Sequence, residues 1–311
     1  MNFRPFDFSE ADYQAYVEVL NQTHPEVLRS VGEVQHLDKT RARDEVLGRF
    51  MVELEGQAVG VAEYESPRNA PKAHAYEVRY GVQPGLEGMV PALWALLMEQ
   101  VSRLKPKELQ TQARENWPEY GFYLSQGFVE VDRRWDSVLD LADFDPTPLS
   151  RPLARGIELK PLSELPYTQD IFQRAWYDLE LKLLRDVPFS EPLVPWAFEV
   201  WQQRHVEDPN LLPEGYFMAL EGEKMLGLTM LFKSSRPQTL QTGLTGVLPG
   251  HRRQGIALAL KLRAAKFARA YGARYIRTSN HQINRPMLSI NESLGFVREA
   301  ATVFLRREFM C

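Results

Sequence analysis

Cysteine is almost missing from this chain: among 311 residues the single one is Cys311. That excludes an intrachain disulfide framework and fits a reducing compartment. A chain end is rarely held in fixed geometry, so Cys311 is not expected to act as a nucleophile. No run of 18 apolar residues occurs, so no membrane-spanning helix and no membrane partner are expected. The opening Met-Asn-Phe-Arg-Pro-Phe-Asp-Phe has no apolar core of a signal peptide, and a cytoplasmic location is expected. Zinc-finger spacing and any array of interleaved basic and aromatic residues are absent too. Neither a metal nor a nucleic-acid partner is therefore expected.

What is present is ordinary in bulk: 44% hydrophobic and 25% charged residues, enough to bury two cores. The net charge of −4 hides a division. Residues 1–150 carry 15 Lys/Arg against 25 Asp/Glu (−10), and residues 151–311 carry 22 against 16 (+6). Between the halves, residues 141–156 are rich in proline and break any periodic pattern, which reads as a linker. The flanks repeat each other. Phe50-Met-Val-Glu-Leu-Glu-Gly answers Phe217-Met-Ala-Leu-Glu-Gly, and both read as hairpins. Gly81-Val-Gln-Pro-Gly85 answers Gly246-Val-Leu-Pro-Gly250, and Gly127-Phe128 answers Gly295-Phe296. The chain reads as a duplicated domain, 1–140 and 157–311.

In the basic half, Gly246-Val-Leu-Pro-Gly-His-Arg-Arg-Gln-Gly-Ile-Ala257 reads as a strand ending at a proline, a short loop and a helix start. Ile256, Leu260, Ala264, Phe267 and Tyr271 recur at helical spacing, and Gly272 is placed to end the helix. Unpaired N–H groups at the positive end of a helix, together with Arg252 and Arg253, predict a phosphate-bearing ligand. Gly250-x4-Gly255 has the glycine spacing of a nucleotide P-loop, but Ile256-Ala257 stands where Lys-Ser/Thr would be required. A basic connection with no ligand is the plain alternative.

The pattern Arg252-x-x-Gly255-x-Ala257 after Val247-x-Pro249 resembles the pyrophosphate loop of the GNAT superfamily of acyl-CoA-dependent N-acetyltransferases. The resemblance implies acetyl-CoA as co-substrate. It would lie against Thr245, Gly246 and Val247 of the strand and Arg252, Arg253, Gln254, Gly255, Ile256 and Ala257 of the loop and helix start. A second stretch, Thr278-Ser-Asn280 through Asn284 and Asn291 to Gly295-Phe296, is similar to the family's cofactor-side strand and helix. Asn284 and Asn291 fall on one helix face and offer amides to the pantetheine arm, with Asn284 also expected to cap the helix. The implied fold class is α/β: a mixed sheet covered by helices on both faces, in two tandem GNAT-like domains. The tandem group that includes mycothiol synthases is similar.

The copies differ where the ligand should sit. Opposite Arg252, Gly255 and Ile256 the first copy has Glu87, Val90 and Pro91, so a single cofactor site is expected, in the second copy. Tyr123 keeps the place of the family's catalytic tyrosine but is expected to be a buried aromatic. In the second copy that place holds Asn291, which cannot protonate a thiolate, and Gln241 and Thr242 stand where relatives carry a glutamate base. Catalysis is then expected to rest on positioning, with Val247 N–H as an oxyanion donor and Asn291 as a hydrogen-bond partner for sulfur. His251 is read as structural. Trp176, Tyr177, Asp186 and Glu191, with Asp178, Glu180, Trp196, Trp201 and the strand end Val303–Leu305, are candidates for the acceptor, a small polar amine. The expected activity is direct acetyl transfer from acetyl-CoA to a primary amine. The alternatives are a non-catalytic acyl-CoA-binding module and an enzyme that uses another acyl group.

Overall fold

The computed structural model describes residues 2–42, 44–67, 72–189 and 193–309. They fall into two compact units. Unit 1 holds the described residues of Met1–Arg133, Ser190–Val194 and Thr302–Cys311, and unit 2 those of Arg134–Phe189 and Pro195–Ala301. Unit 1 begins with β1 (Asn2–Pro5), α1 (Glu10–Thr23) and α2 (Val31–Lys39). Next come β2 (Leu47–Leu54), β3 (Gln57–Glu65), β4 (Ala75–Val82), α3 (Val90–Ser102), β5 (Glu108–Arg114) and α4 (Pro118–Ser125). The strand β6 (Val129–Asp140) carries the chain into unit 2, which continues with β7 (Ile157–Pro161), α5 (Asp170–Leu184) and α6 (Phe198–Trp201). There follow β8 (Phe217–Glu221), β9 (Lys224–Lys233), β10 (Thr239–Val247), α7 (Ile256–Ala270), β11 (Tyr275–His281), α8 (Arg285–Ser293) and β12 (Val297–Arg298). The last strand, β13 (Thr302–Glu308), returns to unit 1.

Each unit contains a mixed sheet on the same plan. In unit 1, β1, β2, β3 and β4 run antiparallel in order, β4 pairs β5 in parallel, and β13 lies antiparallel to β5. In unit 2, β7, β8, β9 and β10 repeat the antiparallel run, β10 pairs β11 in parallel, and residues 134–140 of β6 lie antiparallel to β11. The hairpins expected from sequence are present. Glu55 and Gly56 both take positive φ, as a type I′ turn needs, whereas in the second hairpin only Gly222 does. Strand alternation splits the core in two: on β8, Phe217 and Ala219 pack with α7, and Met218 and Leu220 pack with α5 and α6.

α7 forms from an alanine-rich sequence of high helix propensity and ends at Gly272, whose φ is +92°. Its buried stripe runs Ile256, Leu260, Ala264, Ala268; Tyr271, expected on that face, is half exposed because the stripe drifts round the helix. Lys261 is carried inside with it, its ammonium over the Phe296 ring, and burial brings its pKa down to about 8.

Two segments differ from their sequence reading. Residues 141–156 are part of unit 2: Leu141 and Phe144 are buried in the α7 core, Leu141 N donates to Arg274 O, and Leu149 and Leu153 pack alongside. The strand at 302–308, expected in the second copy, belongs to unit 1. Val303 and Leu305 therefore fill the core of unit 1 beside Leu97, Leu109 and Tyr123 and do not serve an acceptor pocket of unit 2. Alternation announces a strand but not the sheet that receives it. Among the described residues no helix is long and apolar enough to cross a membrane.

Leu305 is 1% exposed. Leu305→Ala should cost about 2–5 kcal/mol by leaving a cavity, and denaturant unfolding followed by amide exchange should place the loss in the strands of unit 1.

Candidate functional site

The site begins where two strands stop pairing. β10 and β11 are in register only over Thr239–Gln241 and Tyr275–Arg277, although β10 continues to Val247 and β11 to His281. A register irregularity between Thr242 and Thr245 bends β10 at the same point. Gly227 lets the chains come close here: a Cβ on it would meet Gly246 O at 2.5 Å. Leu248 N donates to Leu226 O, and pairing on β9 alternates. The N–H groups of Thr245 and Val247 therefore point away from β9, into the gap left by β11.

Beyond the strand the loop builds an anion cradle. A single 3₁₀ turn at Pro249–His251 leads to extended Arg252, then Arg253 at φ +60° and Gly255 at φ +77°. Gly255 is the residue preceding α7, and no side chain caps the helix, so its first N–H groups stay available. Arg252 donates from Nε to Val247 O at 3.1 Å, which ties the loop to the strand. His251 Nε2 faces Lys224 Nζ at 3.2 Å. A cavity of about 770 Å³ joins these features. Its walls include Thr245, Gly246, Val247, Arg252, Arg253, Gly255, Ile256 and Ala257, and on the other side Asn284, Met287 and Ile290.

The cavity thus gathers nine of the eleven residues named for the cofactor. Gln254 is exposed and does not line it. Asn284 lines it and also caps α8, its Oδ1 accepting from Met287 N at 3.4 Å. Asn291 is turned elsewhere. It is 2% exposed, donates from Nδ2 to Asn280 Oδ1 at 2.6 Å, and is not in the cavity wall. Seven residues along a helix return to nearly the same face, yet on α8 Met287 and Ile290 line the cavity while Leu288 and Asn291 are buried.

The acceptor candidates scatter. Trp176 is fully buried, its Nε1 donating to Tyr216 OH at 2.6 Å, and is core. Tyr177 spends its hydroxyl on Trp196 O and its ring on Phe198 and Trp201. Glu180 is enclosed, accepting from Trp201 Nε1 at 2.9 Å and Tyr216 OH at 3.0 Å, with His205 Nε2 at 3.1 Å. Burial would raise its carboxyl, but His205 and these hydrogen bonds outweigh that and hold it below the usual range. Asp186 does reach the cavity, but there it pairs with Arg252. Glu191 lies outside the described residues. Sequence carries no sign of the Asp186–Arg252 pair, because the partners are 66 residues apart. Among the described residues no group of three or more His, Cys, Asp or Glu could hold a metal ion.

Residues 171–296, which supply every wall of this cavity, match the acetyltransferase (GNAT) family. Over this stretch the chain is similar to GNAT acetyltransferases. Solved structures extend the likeness in fold to the whole chain. A tandem GNAT protein from the clavulanic acid biosynthesis pathway superposes with a TM-score of 0.77 at 20% identity, over 99% of this chain and 98% of its own. A GCN5-related N-acetyltransferase from Sphaerobacter thermophilus gives 0.67 at 19%, over 98% and 95%. Saccharomyces cerevisiae N-myristoyltransferase gives 0.64 at 9%, over 100% and 80%. No curated protein matches significantly by sequence.

Unit 1 repeats the parting of strands, with β4 and β5 paired only over Ala75–Glu77 and Glu108–Gln110. There Trp117, at the start of α4 as Asn284 is at the start of α8, stacks on His24 with ring centroids 3.5 Å apart. Glu26 accepts from the Trp117 indole, and Glu119 lies 3.4 Å from His24. The start of α4 thus carries a stacked aromatic pair where the start of α8 carries an amide. Tyr123 is 2% exposed, and burial pushes its hydroxyl pKa up.

Gly255→Val would place a β-branched residue at φ +77°, a strain of about 1–3 kcal/mol. It and Arg252→Glu should each weaken CoA binding about tenfold or more, measured by calorimetry on folded protein. Glu180 gives a separate pH signature. Its depressed carboxyl contributes stability above the unfolded carboxylate pKa of about 4.3, lost as pH falls through the lower folded value. Glu180→Gln should lower the urea midpoint at pH 7 and flatten the acid loss.

Proposed function

We propose that unit 2 is an acetyl-CoA-dependent N-acetyltransferase that passes acetyl directly to a primary amine of a small polar molecule. One observation carries this reading: a single cavity joins an uncapped helix start, an arginine and an unpaired strand edge. These suit, in order, the diphosphate of CoA, its negative charge and its amide-bearing arm. When bound, the co-substrate supplies a thioester already activated toward an amine.

The chain's part is positioning. Arg253 and Gly255 hold the left-handed backbone that turns the loop N–H groups toward the diphosphate. The Val247 N–H, aimed into the gap, is available to the oxygen on which charge develops during attack. Among the described wall residues no side chain pairs a nucleophile with a base, which favours direct transfer over an acyl-enzyme. Asp186 is the sole carboxylate among the described wall residues and favours a cationic acceptor.

Two alternatives each have an observation behind them. The described wall residues include no tyrosine to protonate the thiolate, and Asn291 is turned to Asn280, as a non-catalytic acyl-CoA binder would allow. The apolar wall of Leu183, Val187, Met287 and Ile290 suits a longer acyl group as well as acetyl.

CoA or acetyl-CoA should bind once per chain, because Glu87, Val90 and Pro91 stand where unit 2 has Arg252, Gly255 and Ile256; two equivalent calorimetric sites would contradict this. Incubation with acetyl-CoA and a panel of polyamines, aminoglycosides and amino sugars should release free thiol with at least one amine. Binding without release for every amine favours the non-catalytic reading, and faster release from a longer acyl-CoA moves the donor from acetyl.

A further inference from the structure

Both copies place an internal carboxylate at the loop, and they do so in different ways. In unit 1, Glu87 stands at the place of Arg252 and folds back on its own turn, Oε1 accepting from Gly85 N at 2.9 Å. That carboxylate belongs to the loop and cannot leave it. In unit 2 the carboxylate comes from elsewhere. Asp186 follows α5 by two residues and crosses the cavity wall to the guanidinium of Arg252. Both partners stay well exposed, at 43% and 47% of their side-chain surface, so the pair is open to exchange. Arg252 keeps its bond to Val247 O in the same geometry, so losing Asp186 would not release the loop from the strand.

We infer that Asp186 is a reversible internal competitor for the phosphate loop: the diphosphate of the acyl-CoA must take Arg252 from Asp186 before it is seated. A carboxylate and a diphosphate cannot share one guanidinium without mutual repulsion. Binding is then an exchange of anions on Arg252, and the freed Asp186 carboxylate becomes available inside the same cavity. Its chemistry suits the ammonium form of the acceptor, so occupation of the loop prepares recognition of a cationic amine. In unit 1 the loop's own Glu87 holds a carboxylate on the turn, accepting from Gly85 N.

This inference rests on the acyl-CoA reading of unit 2, and titration of the full chain with CoA tests the two separately. Removing the competitor should tighten binding. Asp186→Asn should bind CoA about two- to fivefold more tightly than the unaltered protein at about 50 mM salt, the scale of an exposed ion pair. The gain should shrink near 1 M salt, where screening weakens the pair. Asp186→Ala should shift affinity in the same direction, and in an Arg252→Ala background the gain from Asp186→Asn should be smaller. Equal or weaker CoA binding by both Asp186 variants, with the unaltered protein binding normally, overturns the competitor and makes Asp186 a residue that orients Arg252. Failure of the unaltered protein to bind CoA at all overturns the acyl-CoA reading and this inference with it.

Discussion

The constraint on which the site depends is the parting of two parallel strands after three paired residues. β10 and β11 begin in register at Thr239 and Tyr275 and then separate. Backbone groups that a continuous sheet would have satisfied are left facing open space. An unpaired edge in a globular protein is ordinarily a liability, to be covered or filled. Here the loop at Arg252–Gly255 and the start of α8 flank the opening, and the unpaired edge becomes one wall of a cavity.

The same backbone plan takes opposite courses in the two units. Unit 1 sets the Trp117–His24 stack at the start of α4 and lets Glu87 accept from the loop's Gly85 N. Unit 2 keeps small residues at the strand edge, Thr245 and Gly246, and leaves α7 uncapped. The two copies thus differ at this place in a few side chains. The fold supplies the place, and the local chemistry decides whether it is open.

Beneath the cavity, the face of unit 2 formed by α5 and α6 is more rigidly specified than a hydrophobic core alone would require. Glu180 gathers Trp201, Tyr216 and His205, and Trp176 binds Tyr216 in turn. A buried carboxylate costs heavily unless its donors are all in place, so the network fixes the packing of α5 on the sheet. Leu183, one turn from Glu180 on that helix, forms part of the cavity wall. Trp176, Tyr177, Glu180 and Trp201, which in sequence suggest a pocket for an amine, are instead part of the packed scaffold of unit 2.

Local chemistry was legible in the sequence. The helix periodicity after Ile256, the stop at Gly272, the hairpin turns and the spacing of Arg252, Gly255 and Ala257 each reflect interactions within a few residues, and the structure keeps them. So does the decay of the first loop, where Glu87 and Pro91 contradict anion binding within a single turn. What sequence could not decide were pairings between distant residues. A strand at 302–308 is announced by alternation, yet β5 and not β11 receives it, because its apolar face fits the α3–α4 core. Asn291 has the spacing of a ligand residue and turns inward to Asn280, and Asp186 looks like an acceptor residue and sits on Arg252. Those outcomes depend on which surfaces meet in three dimensions, and the energy of a meeting is not written at either residue alone.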